Sequence, residues 1–315
     1  MEELIDIRES ELLESEPFML KLLLCDKTSG GCIRWVTDDY SSRGNGFRPS
    51  DEMFPERITD EHEGIVAPRI GKNKTHQTKR TRENAEVFTP SWLCCAQNNL
   101  IDDAWFGRSG AIVSNANPLT GWDVAENEVL FDANHSWQSY VDKRVLEASC
   151  GEAPYLVSRY DVTTGRPIPI QRRMGLLDRK LRVVIENTLA DDDAFERWLI
   201  RAYEATYGFD LQGDNVLLAR ENLLASLDEW CLFRNGHPAS RSLRLSVANR
   251  IAWNIFQMDG TTLTVPYALR PSAQLSLGLF DEEPAMEAVP AKVRDWRACT
   301  GGVALEFRNL VRPRR

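Results

Sequence analysis

The stretch VLEASCGEAPYL, residues 145–156, runs a short apolar segment into a turn of small residues, and its reading decides the fold. Lys143–Ala148 is predicted as a strand that ends in this turn. Small residues there let backbone N–H groups come close to a ligand. Glu147 at the strand end is placed to pair with an ammonium group. An ordinary strand–turn–helix connection has the same appearance. The residues that follow keep a helical period. Met174, Leu177, Leu181, Val184 and Ile185 share one face of a helix over 174–188. Phe195, Trp198, Leu199, Ala202 and Tyr203 do the same over 192–206, with Gly208 as the glycine that stops the helix.

A second junction comes next, YGFDLQGDN, residues 207–215. Phe209–Leu211 is read as a strand and 214–229 as a helix. An acid at the end of such a strand is placed to accept ribose hydroxyls, a role given to Asp210. Asp214 reads as a cap of the following helix. A helix over 243–253 then leads into a strand at Asn254–Met258, and Asp259 follows before Gly260. Strand alternating with helix predicts an α/β fold, Rossmann-like, with a mostly parallel sheet and helices on both faces. Ligands of such sheets bind at the carboxyl ends of the strands.

Outward from this centre the chain is less regular. Residues 1–25 read as a helix with Leu4, Ile5, Leu12, Leu13, Met19 and Leu22 as its apolar positions. Cys32–Val36 reads as a strand, 41–60 as loop and 107–135 as irregular. Residues 271–291 are Pro-rich and acidic and read as an exposed linker; a strand pair is expected near 291–296 and 303–307, before a basic tail. The implied organisation is an N-terminal helical and irregular extension (1–70), a core (71–270), the linker (271–291) and the strand pair with its tail (292–315). The length, 315 residues, suits one large domain with small additions, and 43% hydrophobic residues supply its core. The start of the chain lacks the basic and apolar regions of a signal peptide, no run is apolar enough to span a membrane, and the expected location is the cytoplasm. Seven scattered cysteines without a CxxC pair, and histidines far apart, argue against a disulfide framework and against a metal site. A net charge of −9 means that any nucleic-acid contact needs a local basic patch or a partner.

Several of these segments together resemble the adenine-specific DNA methyltransferases, including the M subunits of restriction–modification systems. TRENAEVFTP (81–90) resembles the family's G-E-V-F/Y-T-P stretch, and LEASCGEAPYL its D-P-S-C-G-S-G-x-F-L cofactor loop. YGFDLQGDNVLLARENLL resembles its G-x-E-I-D-P-x-x-x-x-L-A-R-x-N-L segment, and NIFQMDGTTL its N-I-x-x-G-D-x-L segment. The order along the chain agrees, over roughly residues 72–265. The resemblance implies a site for S-adenosylmethionine. Thr89 and Pro90 would line its methionine end, Glu147 would face its amino group and Gly151 would allow close backbone approach. Asp210 would hold the ribose and Asp259 would sit near the adenine amine, with Phe209 or Leu211 flanking the ring. Two departures stand out. Ala153 occupies the position of the loop's second glycine. The family's Asn/Asp-Pro-Pro-Tyr/Phe motif, which accepts the target amine and stacks on the flipped base, is not found. Pro266 and Tyr267 in Thr264-Val265-Pro266-Tyr267 are its nearest approach, without the polar acceptor.

Two further features bear on partners. Lys72, Lys74, Lys79, Arg80 and Arg82 form a basic run that suits DNA phosphates, or a solvated loop. Gln274, Leu277, Leu279 and Phe280 fit Q-x-x-L-x-L-F, which resembles the peptide that docks on the bacterial sliding clamp; an alternating edge strand would look the same. The readings that follow are a DNA adenine-N6 methyltransferase in a restriction–modification or defence setting, an inactive methyltransferase-like subunit that positions DNA for a partner restriction or specificity subunit, or a methyltransferase with a non-DNA substrate.

Overall fold

Three short parallel strands organise the chain in the computed structural model, which describes residues 7–83, 86–272 and 285–311. Ahead of them come α1 (Glu9–Ser15), α2 (Pro17–Leu24), α3 (Lys74–Glu83) and α4 (Ser91–Phe106). A hairpin of β1 (Val113–Asn117) and β2 (Gly121–Val124) and helix α5 (Trp137–Asp142) follow. The central unit is β3 (Val145–Ala148), α6 (Leu176–Asn187), α7 (Asp192–Glu204), β4 (Thr206–Asp210), α8 (Gly213–Asn235), α9 (Arg241–Asn254) and β5 (Ile255–Gln257). The last described elements are β6 (Thr264–Pro271), β7 (Met286–Pro290), β8 (Lys292–Asp295), β9 (Val303–Glu306) and α10 (Arg308–Val311). The sheet order is β3-β4-β5, parallel throughout, with Glu147 beside Gly208 and Asp210 beside Gln257. The fold is therefore mixed α/β, with a parallel sheet smaller than the sequence suggests. The other strands form antiparallel pairs, β1 with β2, β6 with β7 and β8 with β9.

The pleat divides the sheet's side chains between two apolar clusters. Val145 and Ile255 enter a large cluster with Leu177, Leu181 and Val184 of α6, Leu199 of α7 and Val216, Leu217 and Leu224 of α8. Phe209 and Phe256 face the other way, into a cluster with Val265, Ala268, Val293 and Phe307. Helices cover one face, and the C-terminal hairpins cover the other where a second helical layer was expected. The strand pair near 291–296 and 303–307 forms as β8 and β9.

Other local expectations are corrected. The single helix over 1–25 is two, because Pro17 has no N–H and pushes Glu16 out of the helical region, to φ −140° and ψ 66°. Gly208 does not stop α7; it lies inside β4, where an added Cβ would stand 3.3 Å from Cys150 Sγ and 3.2 Å from Ile255 Cδ1. Residues 107–135 contain the β1–β2 hairpin, and 286–290 of the expected linker are strand β7. The 274–280 peptide lies outside the described residues. Among the described residues no helix is long and apolar enough to cross a membrane.

Cys32–Val36 joins no sheet, yet it seals the edge of one. Gln257 Nε2 of β5 donates to Arg34 O and Gln257 Oε1 accepts from Arg34 N, both at 2.7 Å. One residue on, Trp35 O accepts from Gly213 N at 3.1 Å, at the start of α8. The approach is close enough that a Cβ on Gly213 would lie 2.1 Å from Arg34 O. Gly213→Ala is therefore expected to cost about 1–3 kcal/mol in urea unfolding. Gly71→Ala, whose added Cβ meets only Ala67 Cβ at 3.6 Å, should stay within about 0.5 kcal/mol.

Candidate ligand site at the carboxyl ends of the strands

The loop after β3 is wound tightly. Ser149, Gly151 and Ala153 all have left-handed φ, 52°, 52° and 61°. Only glycine adopts this region freely, so Ser149 and Ala153 hold it at a cost that the surroundings must offset. Cys150 N donates to Phe209 O at 2.8 Å, Ala153 N to Cys150 O at 2.7 Å, and Gly151 N to Asp210 Oδ2 at 2.9 Å. The backbone at Ala153 thus takes the conformation that a glycine would take there.

Asp210 is the clip between two strand ends. Besides Gly151 N, it accepts from Gln212 N at 3.0 Å and from Asn215 Nδ2 at 3.4 Å, both at Oδ1. It is buried, and burial raises its carboxyl above the usual range against the pull of those N–H donors. Glu147 differs in one respect. It is 9% exposed, and its Oε2 is buried without a hydrogen-bond partner. Burial, with the neighbouring Asp210 adding to it, pushes its carboxyl well above the usual range against the backbone N–H groups of Tyr155 and Leu156, which favour the carboxylate. An orphaned buried acceptor costs about 1–3 kcal/mol.

The segment before α4 lies against this loop. The Phe88 ring is 3.6 Å from where a Cβ on Gly151 would be. Pro90 caps α4 in extended conformation, and Ser91 N donates to Asp161 Oδ2 at 2.8 Å. The Tyr155 hydroxyl donates to Gln97 Oε1 and lies near the Thr89 side chain, Cys94 and Glu147. Segments far apart in sequence, 88–94 and 147–155, therefore meet at the end of β3. Of the six residues expected around a cofactor, Thr89, Pro90, Glu147, Gly151 and Asp210 belong to this neighbourhood. Asp259 spends its Oδ1 on a turn, accepting from Thr261 N at 2.7 Å, Thr261 Oγ1 at 2.6 Å and Thr262 N at 3.3 Å. Phe209 is committed to the hairpin cluster, while Leu211 is 41% exposed. Pro266 and Tyr267 lie on β6, where Tyr267 is exposed at φ 57° within an irregular stretch of the ladder.

The basic run is largely spent within the chain. Arg80, fully buried, reaches Asp214 at 2.7 Å, Glu86 at 2.7 Å and Asp39 at 3.2 Å, and also donates to Gln212 Oε1. Lys72 pairs with Asp214 at 3.1 Å and Lys79 with Asp39 at 2.8 Å. Tyr40 donates its hydroxyl proton to Asp214 at 2.7 Å. Lys74 and Arg82 are exposed. Asp214 is thus the anionic centre of a clasp that docks α3 on the start of α8, rather than a simple cap. Nothing local in the sequence signals this, since Arg80 and Asp214 are 134 residues apart. Among the described residues, no group of three or more His, Cys, Asp or Glu side chains could hold a metal ion.

No family model, curated protein or solved structure matches this chain.

Proposed function

We propose that the chain binds S-adenosylmethionine at the carboxyl ends of β3 and β4 and is a methyltransferase-like protein of the DNA adenine-N6 type. The observation that carries this reading is the buried, unpartnered Oε2 of Glu147 at the end of β3, beside a strained small-residue loop and the Thr89-Pro90 segment. A buried carboxyl oxygen without a donor fits an ammonium group. Asp210 suits a hydroxyl donor, because its Oδ2 has capacity beyond the Gly151 N–H it already accepts. Glu147 would hold the amino end, Thr89 and Pro90 would flank it, Gly151 would let the backbone approach, and Asp210 would hold the ribose. The cofactor supplies an electrophilic methyl group. The chain's own contribution is orientation and exclusion of water.

The missing acceptor motif favours a second form of the same reading, in which the chain binds cofactor but works with a restriction or specificity partner that completes the site on DNA. Calorimetric titration of the protein with S-adenosylmethionine, beside Asp210→Ala, tests the proposal. Saturable binding that is lost in a folded Asp210→Ala supports it. Absence of binding to the folded wild-type chain overturns it. A labelled-methyl assay on DNA then separates the active enzyme from the partner-dependent subunit.

A further inference from the structure

Away from the strand ends, Cys25 and Cys32 face one another across a tight loop. They form an isolated antiparallel bridge. Hydrogen bonds flank the pair on both sides, Ile33 N to Leu24 O at 2.8 Å and Asp26 N to Gly31 O at 2.8 Å. The cysteines therefore occupy a non-hydrogen-bonded position, where opposed Cα atoms approach to about 4.5 Å and side chains are nearest. That separation lies within the range of about 4.4–6.8 Å that a disulfide spans. Neither backbone is loose. Cys25 O accepts from the buried Arg220 Nη1 at 3.0 Å, and Cys32 N donates to Glu52 Oε2 at 3.0 Å. The turn between them is closed by the Asp26 carboxylate, which accepts from Thr28 N at 3.1 Å and Ser29 N at 3.0 Å. Both thiols are half-buried, whereas Cys94, Cys95, Cys150 and Cys231 are buried.

We propose that Cys25 and Cys32 are a reversible redox pair that closes to an intramolecular disulfide on exchange with a small-molecule disulfide. The Cys25 thiolate attacks one sulfur of the reagent and expels a thiolate, forming a mixed disulfide. The Cys32 thiolate then attacks the Cys25 sulfur and expels the second thiolate. The two protons given up by the cysteines go to the two expelled thiols, so the protein pair is oxidised and the reagent reduced. Burial, with Glu52 adding to it, holds the Cys32 thiol up at about 11 and lowers its thiolate fraction, which the high local concentration of the second, intramolecular attack offsets. The bond fastens the segment whose next residues, Arg34 and Trp35, accept from Gln257 Nε2 and Gly213 N. It is a staple behind the strand ends, and it does not depend on what binds there.

The test is titration of the native, fully reduced chain with glutathione disulfide, followed by tryptic mass spectrometry. Lys27 separates the two cysteines, so the disulfide appears as peptide 22–27 joined to peptide 28–34. The expected result is simultaneous loss of both thiols as this linked pair, reversed by dithiothreitol, and a stable glutathione adduct on Cys25 in Cys32→Ser. Separate stable glutathione adducts on Cys25 and Cys32 in the wild-type chain would overturn the proposal. So would linkage of either to another cysteine, or both thiols surviving at saturating reagent.

Discussion

Arg80→Met is expected to lower the unfolding free energy by about 3–5 kcal/mol, the cost of leaving buried carboxylates without their cation. The methionine fills a similar volume, so the loss is electrostatic. Glu86 loses its guanidinium partner, Asp39 keeps Lys79, and Asp214 keeps Lys72 and the Tyr40 hydroxyl. Arg82→Met, at an exposed position, should change stability by no more than about 0.5 kcal/mol. The acid limb of the stability profile offers a second readout. Lys79, Thr37, His76 and Arg80 outweigh burial and hold Asp39 at about 2, while Lys72 and Arg80 hold Asp214 lower still. Unfolded aspartate titrates near about 3.9. Stabilisation from these depressed groups is fully present above that value and is lost as pH falls through the folded values. In Arg80→Met both carboxyls move back toward the unfolded value, so the loss between about pH 4 and pH 2 becomes shallower. Urea unfolding at a series of pH values measures both effects; an unchanged midpoint at neutral pH would remove the clasp from the account of stability.

Glu147→Gln should weaken S-adenosylmethionine binding by about 10–100-fold, the worth of a charged hydrogen bond of about 1.5–3 kcal/mol. The same change should leave the stability of the free chain nearly untouched at neutral pH. Burial already favours the uncharged carboxyl, and glutamine keeps its shape. The contrast separates a ligand-facing role from a structural one. If Glu147→Gln unfolds the chain at lower urea while binding is unaltered, the orphaned oxygen is a feature of packing and not of recognition.

How much of this was legible in the sequence depends on the range of the interactions. Helices α6 to α9 follow from apolar periodicity, which acts within each element, and β3 from its apolar run, whereas β4 begins at Thr206, ahead of the strand read at Phe209–Leu211, because it is buried throughout and shows no alternation. The β1–β2 hairpin does not, because Ser114, Asn115 and Asn117 give no apolar alternation and the strands lean on α4. Cys32–Val36 has strand composition, but its partners are a side chain of β5 and a loop at Pro49–Met53, so no ladder forms. Gly208 sits just beyond α7, which made a helix stop plausible; only the Cys150 and Ile255 side chains across the sheet explain it. The strand-end residues were readable because their order along the chain carries the pattern. That Glu147 Oε2 lacks a partner was not, since orphaning is a property of the folded neighbourhood. The clasp was hidden for the same reason: Asp39, Arg80, Glu86 and Asp214 are separate charges until α3 docks.

The central claim is that a ligand ammonium meets Glu147, and its most direct test is calorimetric titration of the wild-type chain with S-adenosylmethionine in buffers of different ionisation enthalpy. Burial raises the Glu147 carboxyl in the free chain, and an ammonium beside it favours the carboxylate. Binding should therefore release protons to the buffer, and affinity should rise with pH across the range in which the free carboxyl is still protonated. Saturable binding with proton release, weakened and without the release in Glu147→Gln, is the predicted result. Binding without proton linkage, or none to the folded chain, would contradict it.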